Sequence, residues 1–274
     1  MRISKEHMET MRKQIELDCN LKEAYKLKDD IYLAPTKVLQ GSRKINKMDP
    51  FFRVVVFMGT AYVMADEEML PGWEEILKDY PAEWFFNFGR LRKIDRILNE
   101  YGREIVDTHI FFLPDEDAKY IETPKEYMWY SKDDIEKMRE NNRFHNALCY
   151  SPTQPDVIAV GAPDISSKKY DANHIDLSQE TLKGMAGASN DGEYVWQIGI
   201  DVAKEYRNEG LAVKLTTAIK QEIVKKGKLP FYGTGEAHAL SRTVAIKSGF
   251  LPAFAEIYVA KIEDKVTRVF ENDV

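Results

Sequence analysis

The stretch VAKEYRNEGLAVKL (202–215) decides how this sequence folds, because an apolar segment, VWQIGI (195–200), leads directly into it. That segment has the β-branched and aromatic content of a buried strand. Behind Gly210 the apolar residues recur at helical spacing, at Leu211, Leu215, Ala218, Ile219 and Ile223. The pattern predicts a strand, a tight loop and an amphipathic helix.

The loop in this stretch, Arg207-x-x-Gly210-x-Ala212, has two interpretations. It is either an ordinary connection or a place where backbone N–H groups close around a phosphate. The first N–H groups of a helix have no intrahelical partners, and the helix dipole adds partial positive charge there. Gly210 permits close approach of an anion, and Ala212 leaves the first turn unobstructed. The motif is weak alone, but its position between a strand and an amphipathic helix favours phosphate binding.

Composition limits the class of protein. The chain has 274 residues, of which 44% are hydrophobic and 31% charged, as in folded globular proteins. Its net charge of −6 argues against nucleic acid as a partner. No apolar run approaches the ~20 residues of a membrane span, and the polar N-terminus does not resemble a secretion signal. We therefore expect a cytoplasmic protein that binds neither nucleic acid nor membrane.

Cysteine and histidine usage gives no sign of a metal site. Cys19 and Cys149 lie far apart without ligand-like spacing, and the five histidines are scattered. We expect a reducing compartment, both thiols as small core residues, and no metal.

The second half of the chain predicts a helix, three antiparallel strands, a helix, a strand, a helix and a strand. Asp191-Gly192 between two apolar segments indicates a hairpin. The glycines of KGMAGAS (183–189) either let a neighbour approach the backbone closely or relieve crowding. A polar, proline-containing stretch at 115–127 marks the expected boundary between domains 1–126 and 127–274.

Three separated segments in this order resemble the GNAT superfamily, the Gcn5-related N-acetyltransferases, over roughly residues 127–262. The segments are IDVAKEYRNEGLA (200–212), LPFYGT (229–234) and a helix ending in IKSGF (246–250). The resemblance implies an α/β fold with a mixed sheet, the GNAT acyl-CoA N-acyltransferase fold, in the C-terminal half. The N-terminal half would be a smaller α/β domain, and a degenerate copy of the same fold is one interpretation of it.

The resemblance also implies acetyl-CoA as co-substrate. Backbone groups of Ile200, Asp201 and Val202 would meet the pantetheine arm and the thioester carbonyl. The pyrophosphate would be held by the main chain of the loop, at Arg207, Asn208, Glu209, Gly210, Leu211 and Ala212.

Two positions depart from the family pattern. The usual asparagine of the last helix is His238, and the usual tyrosine, the acid for the departing thiolate, is Ala245. An imidazole titrates near neutrality, so His238 could act as acid or base. His238 could equally bond to nearby backbone or to CoA, as the asparagine does. Without a tyrosine, the thiolate would leave unassisted, through water, or with help from His238 or Tyr258.

The general base is open. The strand position where some members carry a carboxylate falls on Trp196 and Gln197. The available carboxylates are Glu193 and Glu236, each of which also fits a solvated surface charge. We rank Glu236 slightly ahead because the resemblance puts it on the acceptor side, and a held water is a further possibility.

The first half lacks an R-x-x-G-x-A loop. Its segment FFRVVVFMGTAYVMAD (51–66) predicts one long or bulged strand. An aromatic cluster (Trp84, Phe85, Phe86 and Phe88) could pack the core or line an acceptor cleft, and core packing is favoured. We expect this half to leave CoA to the second half and to shape its acceptor side.

The sequence thus predicts an N-acetyltransferase that moves an acetyl group from acetyl-CoA to a primary amine of a small molecule or a protein, by direct attack in a ternary complex. One alternative is a CoA-binding sensor without turnover, and another is transfer of a longer acyl chain. The acceptor and the oligomeric state stay open.

Overall fold

The protein is a mixed α/β structure in a computed structural model that describes residues 2–44 and 49–262, in agreement with the predicted fold class. In chain order, the helices and longer strands are α1 (Lys5–Asp18), β1 (Tyr25–Lys28), β2 (Ile31–Pro35), β3 (Phe52–Phe57), β4 (Thr60–Ala65), α2 (Leu70–Leu77), α3 (Phe88–Glu100), β5 (Arg103–Pro114), β6 (Met128–Ser131), α4 (Lys132–Met138), β7 (Asp156–Pro163), β8 (Leu182–Asn190), β9 (Val195–Val202), α5 (Leu211–Lys225), β10 (Leu229–Thr234), α6 (Ala239–Lys247) and β11 (Phe250–Lys261).

Contacts divide the chain into two compact units. The first unit comprises the residues up to Arg12 together with Phe111–Pro252, and the second comprises Lys13–Ile110 together with the residues from Ala253 onward. The chain passes from one unit to the other inside α1, inside β5 and inside β11, rather than in the polar stretch at 115–127. Compactness is not a test of independent folding, so the domains 1–126 and 127–274 stay a prediction.

The first unit carries a sheet in the order β10-β9-β8-β7-β6. All neighbours are antiparallel except β9 and β10, which are parallel because α5 connects them. The hairpin predicted around Asp191-Gly192 is confirmed, with Asn190 paired to Trp196. The predicted helices behind Gly210 and before Gly249 are confirmed as α5 and α6.

A capping box starts α4. The Ser131 hydroxyl accepts from the Asp134 N–H at 3.3 Å, and the Asp134 carboxylate accepts from the Ser131 N–H at 3.1 Å. The helix then buries Ile135 and Met138 in a core with Phe144. Each such apolar side chain contributes roughly 1.5–3 kcal/mol on burial. This core fixes the chain segment that follows α4 against the sheet.

The glycines of β8 and β9 admit a close neighbour, which answers the question the sequence left open. A Cβ at Gly187 would lie 2.2 Å from the carbonyl oxygen of Ala147, and one at Gly199 would lie 2.4 Å from that of Asn146. Gly187 and Gly199 are paired across the two strands. The neighbour is therefore the protein's own backbone at Asn146–Ala147, lying on the face of the sheet opposite α5.

In the second unit the sheet runs in the order β1-β2-β4-β3-β11. The prediction of a single strand over 51–66 is wrong, because the segment folds back as the hairpin of β3 and β4 with Phe57 paired to Thr60. The two turn residues, Met58 and Gly59, have φ of +48° and +81°. Such a turn requires positive φ at both positions. The usual Asn-Gly turn sequence is absent here, and methionine rarely adopts positive φ, so the sequence did not predict the turn.

Two further predictions hold only in part. Phe85 is fully buried and Phe86 packs against the core of the second unit, but Trp84 is 61% exposed and Phe88 is 74% exposed. Cys19 is buried, as expected, whereas Cys149 is exposed. In both cases local sequence does not reveal which side of an element faces the core.

A buried ionic cluster lies in the second unit. The Arg43 guanidinium contacts Asp18 at 2.5 Å and Glu256 at 3.0 Å, and Arg53 contacts Glu256 at 2.5 Å. All four side chains are at most 4% exposed. The two arginines outweigh the effect of burial and hold the pKa of Asp18 below its usual range. Removing one partner of such a cluster leaves an uncompensated buried charge, so burial of each of the four side chains depends on the others.

Candidate active site

A gap opens between β9 and β10 toward the C-terminal end of β9. The two strands pair from Leu229 beside Val195 to Tyr232 beside Ile198, and the pairing ends there. On its other edge β9 stays paired with β8 as far as Val202. Residues 199–202 therefore have a strand neighbour on one side only, and the other side opens toward the loop at 203–210.

The backbone groups that face this gap follow from the alternation of hydrogen bonds along β9. Ala203 N–H donates to Lys183 O on the β8 side at 2.9 Å, and Tyr194 O accepts from Leu229 N–H on the β10 side at 2.9 Å. Backbone groups alternate between the two edges of a strand. The N–H and C=O groups of Ile200 and Val202 therefore point into the gap, where the sequence had expected backbone contacts to a thioester.

The loop after β9 turns sharply into α5. A 3₁₀ turn over Lys204–Tyr206 is followed by Asn208 with φ of +70° and Gly210 with φ of +75°. The Arg207 Nε donates to Val202 O at 3.1 Å, so the loop is fastened to the end of β9. A Cβ at Gly210 would meet nothing within 4 Å. Gly210 is thus required by its backbone conformation and borders open space.

The N-terminus of α5 has no side-chain cap. Gly210 occupies the N-cap position, and the first helical hydrogen bond runs from Lys214 N–H to Gly210 O at 3.3 Å. The N–H groups of Leu211, Ala212 and Val213 therefore precede the helical ladder. With the dipole of a 15-residue helix behind them, they are suited to an anion.

The structure brings together the cofactor-binding residues that the sequence singled out at 200–202 and 207–212. Val202 is buried and Ile200 and Asp201 are half-buried at the end of β9. Arg207, Asn208, Glu209 and Gly210 are exposed, and Leu211 and Ala212 are half-buried in the first turn of α5. The strand end, the loop and the helix start are continuous in space as well as in sequence.

The two residues proposed for acid–base catalysis lie on the surface. Glu236 and His238 are both exposed in the turn between β10 and α6. His238 takes the N-cap position of α6 without a side-chain cap bond, and Glu236 O accepts from Arg242 Nη1 at 3.0 Å. Within 2–44 and 49–262, neither side chain forms a hydrogen bond or an ion pair.

The other positions weighed for proton transfer have structural contacts. Ala245 is fully buried in α6. Trp196 donates its indole N–H to Asn190 Oδ1 at 3.1 Å, and Gln197 lies beside Gly233. In the second unit, the ring of Tyr258 stacks on His109 at a centroid distance of 4.7 Å.

Sequence reasoning missed the side chain of Asp201, which it had used only for its backbone. The carboxylate is half-buried, and Asn146 approaches its Oδ2 with both backbone N–H and side-chain Nδ2 at 3.5 Å. Burial raises the pKa of Asp201 above its usual 3.8, and the N–H groups of Asn146 and Val202 and the charges of Arg207 and His145 oppose that rise. The alternation of β9 would have placed this side chain opposite α5.

Membrane and metal features can be read over the described ranges. None of the helices there is both long and apolar enough to cross a bilayer. Over the same residues, no three His, Cys, Asp or Glu side chains are grouped to hold a metal ion.

Comparisons with known proteins find structural likeness only. No protein-family model and no curated protein matches the sequence. A GCN5-related N-acetyltransferase from Kribbella flavida is 18% identical over 61% of this chain and 62% of its own, with a TM-score of 0.40. A GCN5-related N-acetyltransferase-like protein from Streptococcus suis is 12% identical over 91% and 98%, with a TM-score of 0.43. A GNAT-family acetyltransferase from Colwellia psychrerythraea is 12% identical over 57% and 56%, with a TM-score of 0.37.

The names of these three proteins thus place them among GNAT or GCN5-related acetyltransferases, and each is under 25% identical to this chain. The chain spans less than two thirds of the Kribbella and Colwellia proteins. At these identities and TM-scores the likeness assigns no substrate or mechanism.

Proposed function

We propose that this protein is an acetyl-CoA-dependent N-acetyltransferase. It transfers the acetyl group to a primary amine of a small molecule or protein by direct attack in a ternary complex. The single observation that carries the proposal is the gap beside Ile200 and Val202, which opens directly onto the uncapped start of α5. Acyl transfer from CoA needs both halves of this arrangement, one for the thioester and one for the pyrophosphate.

The residues present fit acetyl-CoA. The N–H groups at Leu211–Val213 and the open space beside Gly210 suit the pyrophosphate, because anions bind to free helix N-termini. Farther along, the gap suits the narrow, amide-containing pantetheine arm, which can hydrogen-bond with strand edges as a β-strand does. When bound, acetyl-CoA supplies an activated acyl group.

The Ile200 N–H is the donor we assign to the thioester oxygen. Negative charge develops on that oxygen when an amine attacks the carbonyl carbon, and a fixed N–H in a partly dry gap stabilises it. The Val202 N–H already acts on the Asp201 carboxylate, so the Ile200 N–H is the backbone donor that we assign to this role. Loss of one such donor commonly costs about 10²–10³ in rate.

Proton transfer is assigned to groups at the same end of the sheet. His238 is proposed to have two roles. It contacts CoA, and it donates a proton to the departing thiolate. Glu236 is proposed as a base on the acceptor side. Both are free to move toward a bound substrate because their side chains are exposed.

A second candidate is a CoA-binding sensor without turnover. The observation that favours it is Ala245, which is buried in α6 and offers no hydroxyl where the family resemblance places the acid. Such a protein would bind acetyl-CoA through the same loop but release no thiol. A longer acyl chain would use the same gap and is distinguished by comparing acyl-CoA donors.

The first experiment compares thermal unfolding with and without acetyl-CoA in the full-length protein, Gly210→Glu and Gly227→Glu. Gly227 is a matched control, because it follows the other end of α5 with φ of +74° and nothing within 4 Å of its Cβ position. At 100 times its Kd the ligand should stabilise the wild type by roughly 2.7 kcal/mol.

We expect that shift in wild type and Gly227→Glu and its loss in Gly210→Glu, where a carboxylate would meet the pyrophosphate. Samples that shift then go to a panel of amines with thiol release as the readout. Release with an amine supports the transferase, and a shift without release from any amine supports the sensor. If wild type does not shift at all, the CoA-binding function is wrong.

A further inference from the structure

We propose that the carboxylate of Asp201 receives the ammonium group of the acceptor and takes up its proton, which makes the preferred acceptor a cationic amine. The inference rests on the acetyltransferase function proposed above. It gives Asp201 the role of base that was proposed above for Glu236, a role that the place of Asp201 among the backbone contacts of CoA does not require.

Position is the first reason. Asp201 lies in the part of β9 that has lost β10 as a neighbour, one residue from the Ile200 N–H assigned to the thioester. Its side chain points to the same face as Gly199, where Asn146 and Ala147 lie, and away from α5. A nucleophile held there would approach the thioester from the face opposite the helix.

Incomplete pairing is the second reason. A desolvated carboxylate normally has short, charge-assisted partners. Besides the N–H of Val202, Asp201 has the two Asn146 donors at 3.5 Å, and it forms no ion pair with a lysine or arginine in the described residues. An alkylammonium group would supply the missing donors and charge.

The surrounding charges leave room for a cation. The charged and titratable groups that face Asp201 are Arg207 from the loop before α5 and His145 from the segment before β7. Arg207 is already directed to Val202 O, and His145 is exposed. Burial keeps the carboxylate more basic than an exposed one, as proton uptake requires.

The reaction then balances as follows. The acceptor ammonium loses one proton to the Asp201 carboxylate, and the amine nitrogen forms a bond to the thioester carbonyl carbon. The carbon–sulfur bond breaks with its electron pair on sulfur, and the thiolate takes the second proton released from nitrogen. Asp201 returns its proton to water. The products are the amide, CoA thiol and one proton.

The test compares wild type with Asp201→Asn, Glu236→Gln and Glu205→Gln, all as full-length proteins. Glu205 is an exposed carboxylate in the turn at 204–206 and serves as a charge-matched control. Each variant is measured for its thermal shift with acetyl-CoA and for thiol release. The acceptors are an alkylamine, charged at neutral pH, and an arylamine, which is not.

We expect Asp201→Asn to keep the acetyl-CoA shift and to lose about 10²-fold or more in turnover of the alkylamine. The arylamine should lose much less, because it has no ammonium to bind. With the alkylamine, the acidic limb of the pH–rate profile should also move to higher pH in this variant, because the free amine must then form in solution rather than on Asp201.

Several results would overturn the inference while leaving acetyl-CoA binding established. These are turnover within threefold of wild type, an equal loss for both amines, loss confined to Glu236→Gln, or release with no amine in any variant. Loss of the acetyl-CoA shift in Asp201→Asn, or failure to fold that Asp201→Ser repeats, would make Asp201 structural and also overturn it. Absence of the shift in wild type would instead remove the transferase function itself.

Discussion

The Arg207 Nε lies 3.1 Å from the carbonyl oxygen of Val202, so the residue that opens the loop is bound to the last residue of β9. This contact sets the direction in which the chain leaves the strand and enters α5. It also satisfies a backbone acceptor that faces the gap. Arg207 thus shapes the loop from its own side, whatever contact it makes with a phosphate.

Replacing Arg207 by alanine should therefore weaken acetyl-CoA binding more than folding. A hydrogen bond to a charged group contributes roughly 1.5–3 kcal/mol, which corresponds to about a tenfold or greater rise in Kd. Titration calorimetry with acetyl-CoA measures it. Arg139→Ala removes an exposed arginine paired with Glu136 and should leave Kd unchanged. Equal Kd values in Arg207→Ala and wild type would show that the loop does not depend on this contact.

A methyl group at Gly199 should destabilise the first unit. It would lie 2.4 Å from Asn146 O and 2.9 Å from Ala147 O, and backbone cannot move aside as a flexible side chain can. We expect Gly199→Ala to lower the free energy of unfolding in urea by about 3 kcal/mol. Gly235→Ala, where the new Cβ meets nothing within 4 Å, should change it by less than about 1 kcal/mol. Similar values for both variants would contradict the close packing of 146–147.

Lys220 should make stability rise with pH in the alkaline range. The side chain is buried in α5, where Nζ donates to Ser248 O at 2.5 Å, and burial lowers its pKa from 10.5 to about 8. Between these values the unfolded chain binds more protons than the folded chain. The free energy of unfolding therefore increases as pH rises through this window, by at most roughly 3 kcal/mol.

The measurement is urea unfolding of wild type and Lys220→Met at about pH 7.5 and about pH 10, because the difference cancels groups that titrate in both proteins. We expect the free energy of unfolding of wild type to increase relative to that of Lys220→Met as pH rises. Lys225 is an exposed lysine of the same helix, and the difference in free energy of unfolding between Lys225→Met and wild type should not change with pH. A difference for Lys220→Met that does not vary with pH would refute the assignment.

Much of the first unit could be predicted because its signals are local. Asp191-Gly192 forms its hairpin, and Gly210 takes the positive φ that precedes α5. Each depends on neighbours a few residues away. The hairpin at Met58-Gly59 was missed because methionine seldom adopts positive φ, so its conformation is imposed by the pairing of β3 with β4.

The candidate site was likewise predicted only in part. The sequence order was enough to indicate the loop and the helix behind it, and from them a phosphate-binding chemistry. The sequence order was not enough to identify which carboxylate accepts the proton. Glu236 was favoured because the family resemblance puts it on the acceptor side, whereas the side chain of Asp201 became a candidate only once Asn146 was seen to lie beside it.

By itself, then, the sequence determined the order of strands and helices from α4 onward, the Gly210 turn and the mixed α/β fold class. Only the tertiary structure decided where β9 and β10 separate, what lies against Gly187 and Gly199, and that Asp18, Arg43, Arg53 and Glu256 form one buried cluster. The physical reason is the separation in sequence between the residues that interact. Turns and caps are fixed by hydrogen bonds between near neighbours, whereas packing and burial depend on residues up to 213 positions apart, as in the ion pair of Arg43 and Glu256.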